Sequence, residues 1–269
     1  MKRERGKARA CWICGLWLIL LFACRLTGVS ADVGVPVPMY WQQLDENNHP
    51  LEPVSRQMRS YTGGHPQYGP QQCYNGQAWC IRTSVNWRIS HYHLDTAVNG
   101  DLTDDQKVRA DRYCEATYSA ATEANRFART TGVYNCHGYA IGRTDIWVSD
   151  INKLNVDDYD AHFTNWPNMQ VGVGHLTYEP GNGHSSIISA FSDDPGPHGE
   201  PFKKIDKVKQ KCAQYGFYET APAAFAEYGT PKYLWTPKPP RGQAPELPPE
   251  LSVPTDTEAL GGWTTSDPP

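Results

Sequence analysis

The chain has 269 residues, of which 12% are aromatic, and its 25 Lys and Arg against 29 Asp and Glu give a formal net charge of -4. The charge is unevenly spread: residues 1–31 hold six of the basic residues and one acidic residue, which leaves 19 against 28, or -9, for the rest. An acidic body of this kind has no electrostatic reason to bind nucleic acid, and about 240 residues rich in Trp and Tyr can bury a core in one main domain.

Taken in chain order, Lys2, Arg3, Arg5, Lys7 and Arg9 precede an apolar stretch from Cys11 to Cys24, and Val29-Ser30-Ala31 supplies small residues for cleavage. Residues 1–31 therefore read as a secretory signal peptide. The apolar core falls short of the roughly 20 residues that a membrane span needs. Leu21-Phe22-Ala23-Cys24 resembles a lipoprotein box only loosely, because Phe22 is bulky. The expected location is secreted or periplasmic, with no membrane span after signal removal.

Residues 32–100 are rich in Pro, Gly, Gln and aromatics and read as an irregular extension, with short strands near Trp79–Thr83 and Val85–Ile89. This composition also suits a propeptide that gates a site. From Leu102 to Arg129 there is no Gly or Pro, and Thr103-Asp104-Asp105-Gln106 has the form of a capping box. A helix is predicted there, with Val108, Tyr113, Ala116, Ala120 and Ala124 as its buried stripe. A second, short helix should start at about Asn135. Val171–Tyr178 and His184–Phe191 flank Glu179-Pro180-Gly181-Asn182-Gly183 and are expected as a hairpin, and Pro201–Val208 as the next strand. Residues 237–269 are Pro-rich and poor in large apolar side chains, and read as a disordered tail.

The signal takes three of the eight cysteines and leaves Cys73, Cys80, Cys114, Cys136 and Cys212. An odd count in an oxidising compartment leaves one thiol free or pairs chains. Pairing Cys73 with Cys80 and Cys114 with Cys212 is the simplest of fifteen arrangements on this count, and it leaves Cys136. Asn135 as N-cap would place Cys136 in the first helical turn, where the positive helix end favours a thiolate and the Cys136 N–H is one half of an oxyanion hole. His137 is excluded as its base on the ground that adjacent helical residues point about 100° apart. His184, at the mouth of a strand, is the expected base. A simple hairpin would set His184 opposite Val208 and present Asp206 and Gln210 as candidates to orient the imidazole.

Asn135-Cys136-His137-Gly138-Tyr139-Ala140 followed by Gly183-His184-Ser185 on a strand resembles the papain-like cysteine amidohydrolases and peptidases, of which the CHAP and NlpC-type cell-wall hydrolases are the nearest kind. The resemblance covers residues 101–236 and matches neither family letter for letter. It implies an α+β fold with helices packed on an antiparallel sheet, Cys136 as nucleophile, His184 as base, a peptide or amide substrate with peptidoglycan as one candidate, and no cofactor. Two other readings compete. A permuted papain-like acyltransferase or lipid hydrolase would use His91 or His93, and a non-enzymatic binding module would have Cys136 in a disulfide. His91-x-His93 could also ligate a metal, although an isolated His-x-His is a weak signal.

Overall fold

The computed structural model describes residues 35–61, 81–85, 87–95, 100–163, 169–179, 183–196 and 201–239. The proposed signal peptide, Cys73, Cys80 and the tail beyond Pro239 lie outside these. The described chain up to Pro237 forms one unit of α+β class.

Its strands are β1 (Val35–Trp41), β2 (Val54–Tyr61), β3 (His91–Leu94), β4 (Arg126–Ala128), β5 (Trp147–Val148), β6 (Tyr159–Phe163), β7 (His175–Glu179), β8 (Ser185–Pro195), β9 (Pro201–Lys211), β10 (Phe217–Thr220) and β11 (Thr230–Pro237). Its helices are α1 (Asp104–Thr117), α2 (Cys136–Ala140) and α3 (Ile151–Asp158). Two antiparallel sheets result, one ordered β1-β2-β3-β5 and one ordered β4-β10-β9-β8-β7-β11-β6. The expected α+β class with antiparallel sheets is what the chain adopts.

Among residues 32–100, the described segments include paired strands where composition suggested irregular chain. Prolines at positions 36 and 38 and the polar residues of β2 sit in a paired ladder from Val35↔Ser60 to Trp41↔Val54, and β3 joins this sheet to β5 of the domain beyond residue 101. What stabilises the ladder is burial of Trp41, Met58 and Tyr61 along it. The short strands expected around residues 79–89 reduce, among the described residues, to a small hairpin with Thr83 N–H donating to Trp87 O and Ile89 N–H to Ile81 O.

Helix α1 begins at the expected capping box, with Gln106 N–H donating to Thr103 Oγ1 and Thr103 N–H to Gln106 Oε1. It stops at Thr117 rather than running to Arg129, and the following residues form a 3-10 turn (Glu123–Asn125) and β4. The buried face is also different: Ala110, Asp111 and Cys114 are covered, whereas Ala116 and Ala124 are exposed. The expected stripe assumed one continuous helix, so its phase is lost once the helix ends. Ala110 and Cys114 pack with Cys212, Tyr215, Tyr218 and Phe225. A second cluster, Leu176, Tyr178, Ile188, Ile205, Val208 and Leu234, fills the large sheet around β8.

The hairpin of β7 and β8 forms with Leu176 opposite Ser186. Strand β9 runs past Val208 to Lys211, and Ile188 lies opposite Val208 and Ser186 opposite Gln210, in the same register as Pro195↔Pro201 because the irregularities on either side of Ala190 cancel. His184 is therefore not opposite Val208: the paired strands extend beyond Phe191 to Pro195, which makes Ile188 the partner of Val208.

Candidate functional site

Helix α2 is short, and its position comes from its cap. Asn135 Oδ1 accepts from Gly138 N–H at 2.9 Å and from Val148 N–H at 3.1 Å, while Asn135 Nδ2 donates to Val148 O at 2.9 Å. One side chain thus ends the helix and fastens it to β5. Gly138 packs under the following turn: a Cβ there would come within 2.4 Å of Ile146 O and 2.7 Å of Arg143 O. The close approach expected of this glycine is present, and its partner is backbone.

Cys136 and His184 come together. His184 is 1% exposed and Cys136 6%. A chain of hydrogen bonds fixes the histidine tautomer, starting from an atom that can only accept. Thr220 Oγ1 donates to Ala221 O at 3.0 Å, so it accepts from Gln210 Nε2 at 2.5 Å; this turns Gln210 Oε1 toward His184 Nε2 at 2.8 Å. His184 Nε2 therefore carries a proton and donates it to Gln210. The other ring nitrogen, Nδ1, is buried without a hydrogen-bond partner, and the ring is close enough to Cys136 to lower its thiol pKa. The ring stacks on Tyr228 with centroids 3.8 Å apart and planes at 11°, and meets the edge of Tyr178 at 4.9 Å. Tyr178 is itself held by Ser186, its hydroxyl 2.8 Å from Ser186 Oγ.

Burial pushes the Cys136 pKa up, yet His137 and His184 outweigh it and hold the thiol well below its ordinary 9.0. His137 thus belongs to the site, contrary to its exclusion on helical geometry. Both residues lie in the first turn and face β8, and the imidazole is long enough to flank the neighbouring thiol despite the angle between them. Its Nδ1 is 2.7 Å from Ser185 Oγ. Burial lowers the His137 pKa, but the Cys136 charge beside it raises it above the ordinary 6.5. The adjacent residues Cys136 and His137 thus meet the adjacent residues His184 and Ser185. Behind them, burial and the charge of His137 depress His175 to about 3, so it stays neutral, with Nε2 2.9 Å from Asn155 Oδ1.

Of the two candidates to orient His184, Gln210 does so and Asp206 does not. Asp206 accepts from Ser192 Oγ at 3.1 Å further along the hairpin. The Ser186↔Gln210 pairing makes Gln210 the diagonal neighbour of His184, two residues before Ser186 on the same face. His91 and His93 are packed in the other sheet, where His91 stacks on Tyr61 at 5.2 Å and donates from Nδ1 to Ile89 O at 2.7 Å, and His93 meets both rings edge-on. Among the described residues no three His, Cys, Asp or Glu come together as a metal-binding group. Cys114, Cys136 and Cys212 are all unbonded thiols. Sequence reasoning missed Ser185 as a partner of His137, Thr220 and Tyr228. Nothing local marks Thr220 or Tyr228, which reach the site through sheet pairing and a 3-10 turn (Ala226–Tyr228).

No family model, curated protein or solved structure matches this chain.

Proposed function

We propose that the protein is a thiol hydrolase of papain-like type that cleaves an amide or peptide bond through a Cys136 acyl-enzyme. The observation that carries this reading is the Ala221–Thr220–Gln210–His184 relay, which engages Nε2 and leaves His184 Nδ1 as the nitrogen available to act on Cys136. A buried nucleophile, a base with a fixed tautomer and a third polar group that orients the base are the parts a covalent mechanism requires. His184 Nδ1 takes the Cys136 thiol proton, Sγ attacks the substrate carbonyl carbon, and that proton passes from Nδ1 to the leaving amine as the C–N bond breaks. Water then attacks the thioester, His184 takes its proton, and the carboxylic acid leaves as the thiolate reforms.

The basic, apolar, small-residue order of residues 1–31 supports secretion, and peptide cross-links of a cell wall are amide substrates met outside the cytoplasm. In that compartment Cys114 and Cys212, unbonded thiols that share one core cluster, are the pair we expect to oxidise first. No helix among the described residues is long and apolar enough to cross a membrane.

The test is iodoacetamide labelling of the native, unreduced protein, mapped by mass spectrometry from mildly acidic to mildly basic pH. Rapid labelling of Cys136 at the acidic end, lost in His184→Ala, is the expected result. Cys136 recovered in a disulfide would sink the enzyme reading and leave a binding module.

A further inference from the structure

Lys211 is the residue of this core with the least evident reason to be there. It is 0% exposed, directly follows Gln210, and points to the opposite face of β9. Its ammonium lies 5.5 Å from the ring centre of Trp147 and 5.7 Å from that of Phe217, its cross-strand partner. The acceptor it has is Ala213 O at 3.4 Å, and no ion pair joins it to a carboxylate among the described residues.

The two rings locate this cation. Trp147 Nε1 donates to Gly132 O at 2.8 Å, and its neighbour Val148 holds the Asn135 cap. Phe217 packs on Tyr134 at 5.6 Å and Tyr139 at 5.2 Å, on either side of Cys136. Lys211 therefore sits on the two aromatics that grip the nucleophile segment. The acidic groups that act on it are Cys136, Cys212, Cys114 and Asp101. Asp101 is already engaged, with Lys107 Nζ at 2.9 Å and Gly132 N–H at 2.8 Å. Cys212, hydrogen-bonded beside it, and burial together push the Cys114 thiol far up, so Cys114 stays uncharged. Cys136, by contrast with Cys114, is held well below its ordinary value.

We propose that Lys211 is a positioning residue of the thiol site, a buried cation seated on Trp147 and Phe217 that stabilises the Cys136 thiolate from beneath the nucleophile segment. The inference rests on the thiolate reading of Cys136 and deepens it. Burial lowers the Lys211 pKa to about 8, so the side chain is mostly charged at neutral pH, where a neutral replacement of similar length would pack better. A lysine kept for structure and one kept for the thiolate then predict opposite results.

The experiment compares wild type with Lys211→Met and Lys211→Gln, measuring thermal melting at neutral pH and the rate of iodoacetamide alkylation of Cys136 across pH. The expected result is that Lys211→Met melts no lower than wild type, while its Cys136 alkylation at acidic pH slows by about tenfold or more and the acid limb moves to higher pH, with Lys211→Gln shifting the limb the same way. In a Cys136→Ser background, Lys211→Met should raise the melting temperature more than it does in wild type, because the charge that compensates Lys211 is gone. A variant that unfolds, or a folded Lys211→Met with an unchanged alkylation profile, overturns the inference. Failure of the hydrolase reading is separate: it shows in the wild type, as slow Cys136 alkylation insensitive to His184→Ala.

Discussion

At the scale of single residues, the site turns on which groups carry charge at neutral pH. His137 is nearly buried, and burial favours its neutral form; the Cys136 thiolate beside it tips the balance and raises its pKa above 6.5. A histidine raised on folding contributes stability that is complete below the unfolded value and is lost as pH rises through the folded one. Replacing the thiolate with a hydroxyl removes the raising cause and leaves burial. In Cys136→Ser, His137 should therefore titrate below 6.5, read from the pH dependence of its imidazole NMR signals, and its contribution to stability should change sign. An unchanged midpoint in Cys136→Ser would mean that the thiol carries no charge in the native protein. Lys211 follows the opposite rule. Holding it at about 8 against an ordinary 10.5 costs the fold about 3 kcal/mol while it is protonated, and the cost fades as pH rises between those values.

At the scale of elements, Cys136, the proposed nucleophile, depends on a five-residue helix that could not persist alone. Its cap, its contact with β5 and its glycine must hold it. Gly138 is the position where substitution discriminates best, because the atoms a Cβ would meet, Ile146 O and Arg143 O, are backbone and cannot swing aside. Gly138→Ala should destabilise by roughly 1–3 kcal/mol despite the better helix propensity of alanine, measured by denaturant melts. It should also slow Cys136 labelling in the protein that remains folded. A neutral or stabilising result would mean that the turn after α2 has room to move.

This element was legible in the chain because its signals are local: Asn before Cys, Gly two positions after it, and a capping box upstream of α1. His184 and Gln210 were legible to the extent that a hairpin fixes neighbours. The register depends on how far the hairpin runs past Phe191, here to Pro195↔Pro201, and alternation alone does not fix that length, so Asp206 and Gln210 could not be separated beforehand. His137 was lost to an idealised angle, and Tyr228 and Thr220 belong to segments whose approach to His184 depends on the whole sheet. The length of α1 failed for a related reason. A stretch without Gly or Pro permits a helix, but burial decides where it stops.

At the scale of the molecule, the open question is what residues 35–61 and 91–94 do for the rest. A removable propeptide should contact the catalytic unit across a separable face. Here β3 pairs with β5, and β5 holds the Asn135 cap of α2, so the small sheet is continuous with the site. Trp41 at the end of β1 is fully buried, donates from Nε1 to Gln214 O at 3.0 Å just beyond β9, and packs its ring on Gly132, where a Cβ would come within 2.5 Å of it. Removing these strands would open the edge of β5, empty the space that Trp41 fills and release the segment leading into Cys136. Losing a buried Trp alone costs about 3–5 kcal/mol, a large part of the stability of a domain this size. A chain beginning at Gly100 should therefore lose cooperative melting and the near-ultraviolet circular dichroism of its packed aromatics, and Cys136 should label no faster than the other cysteines. A folded truncation whose Cys136 labels faster than in the full chain would reverse this and make the strands a gate.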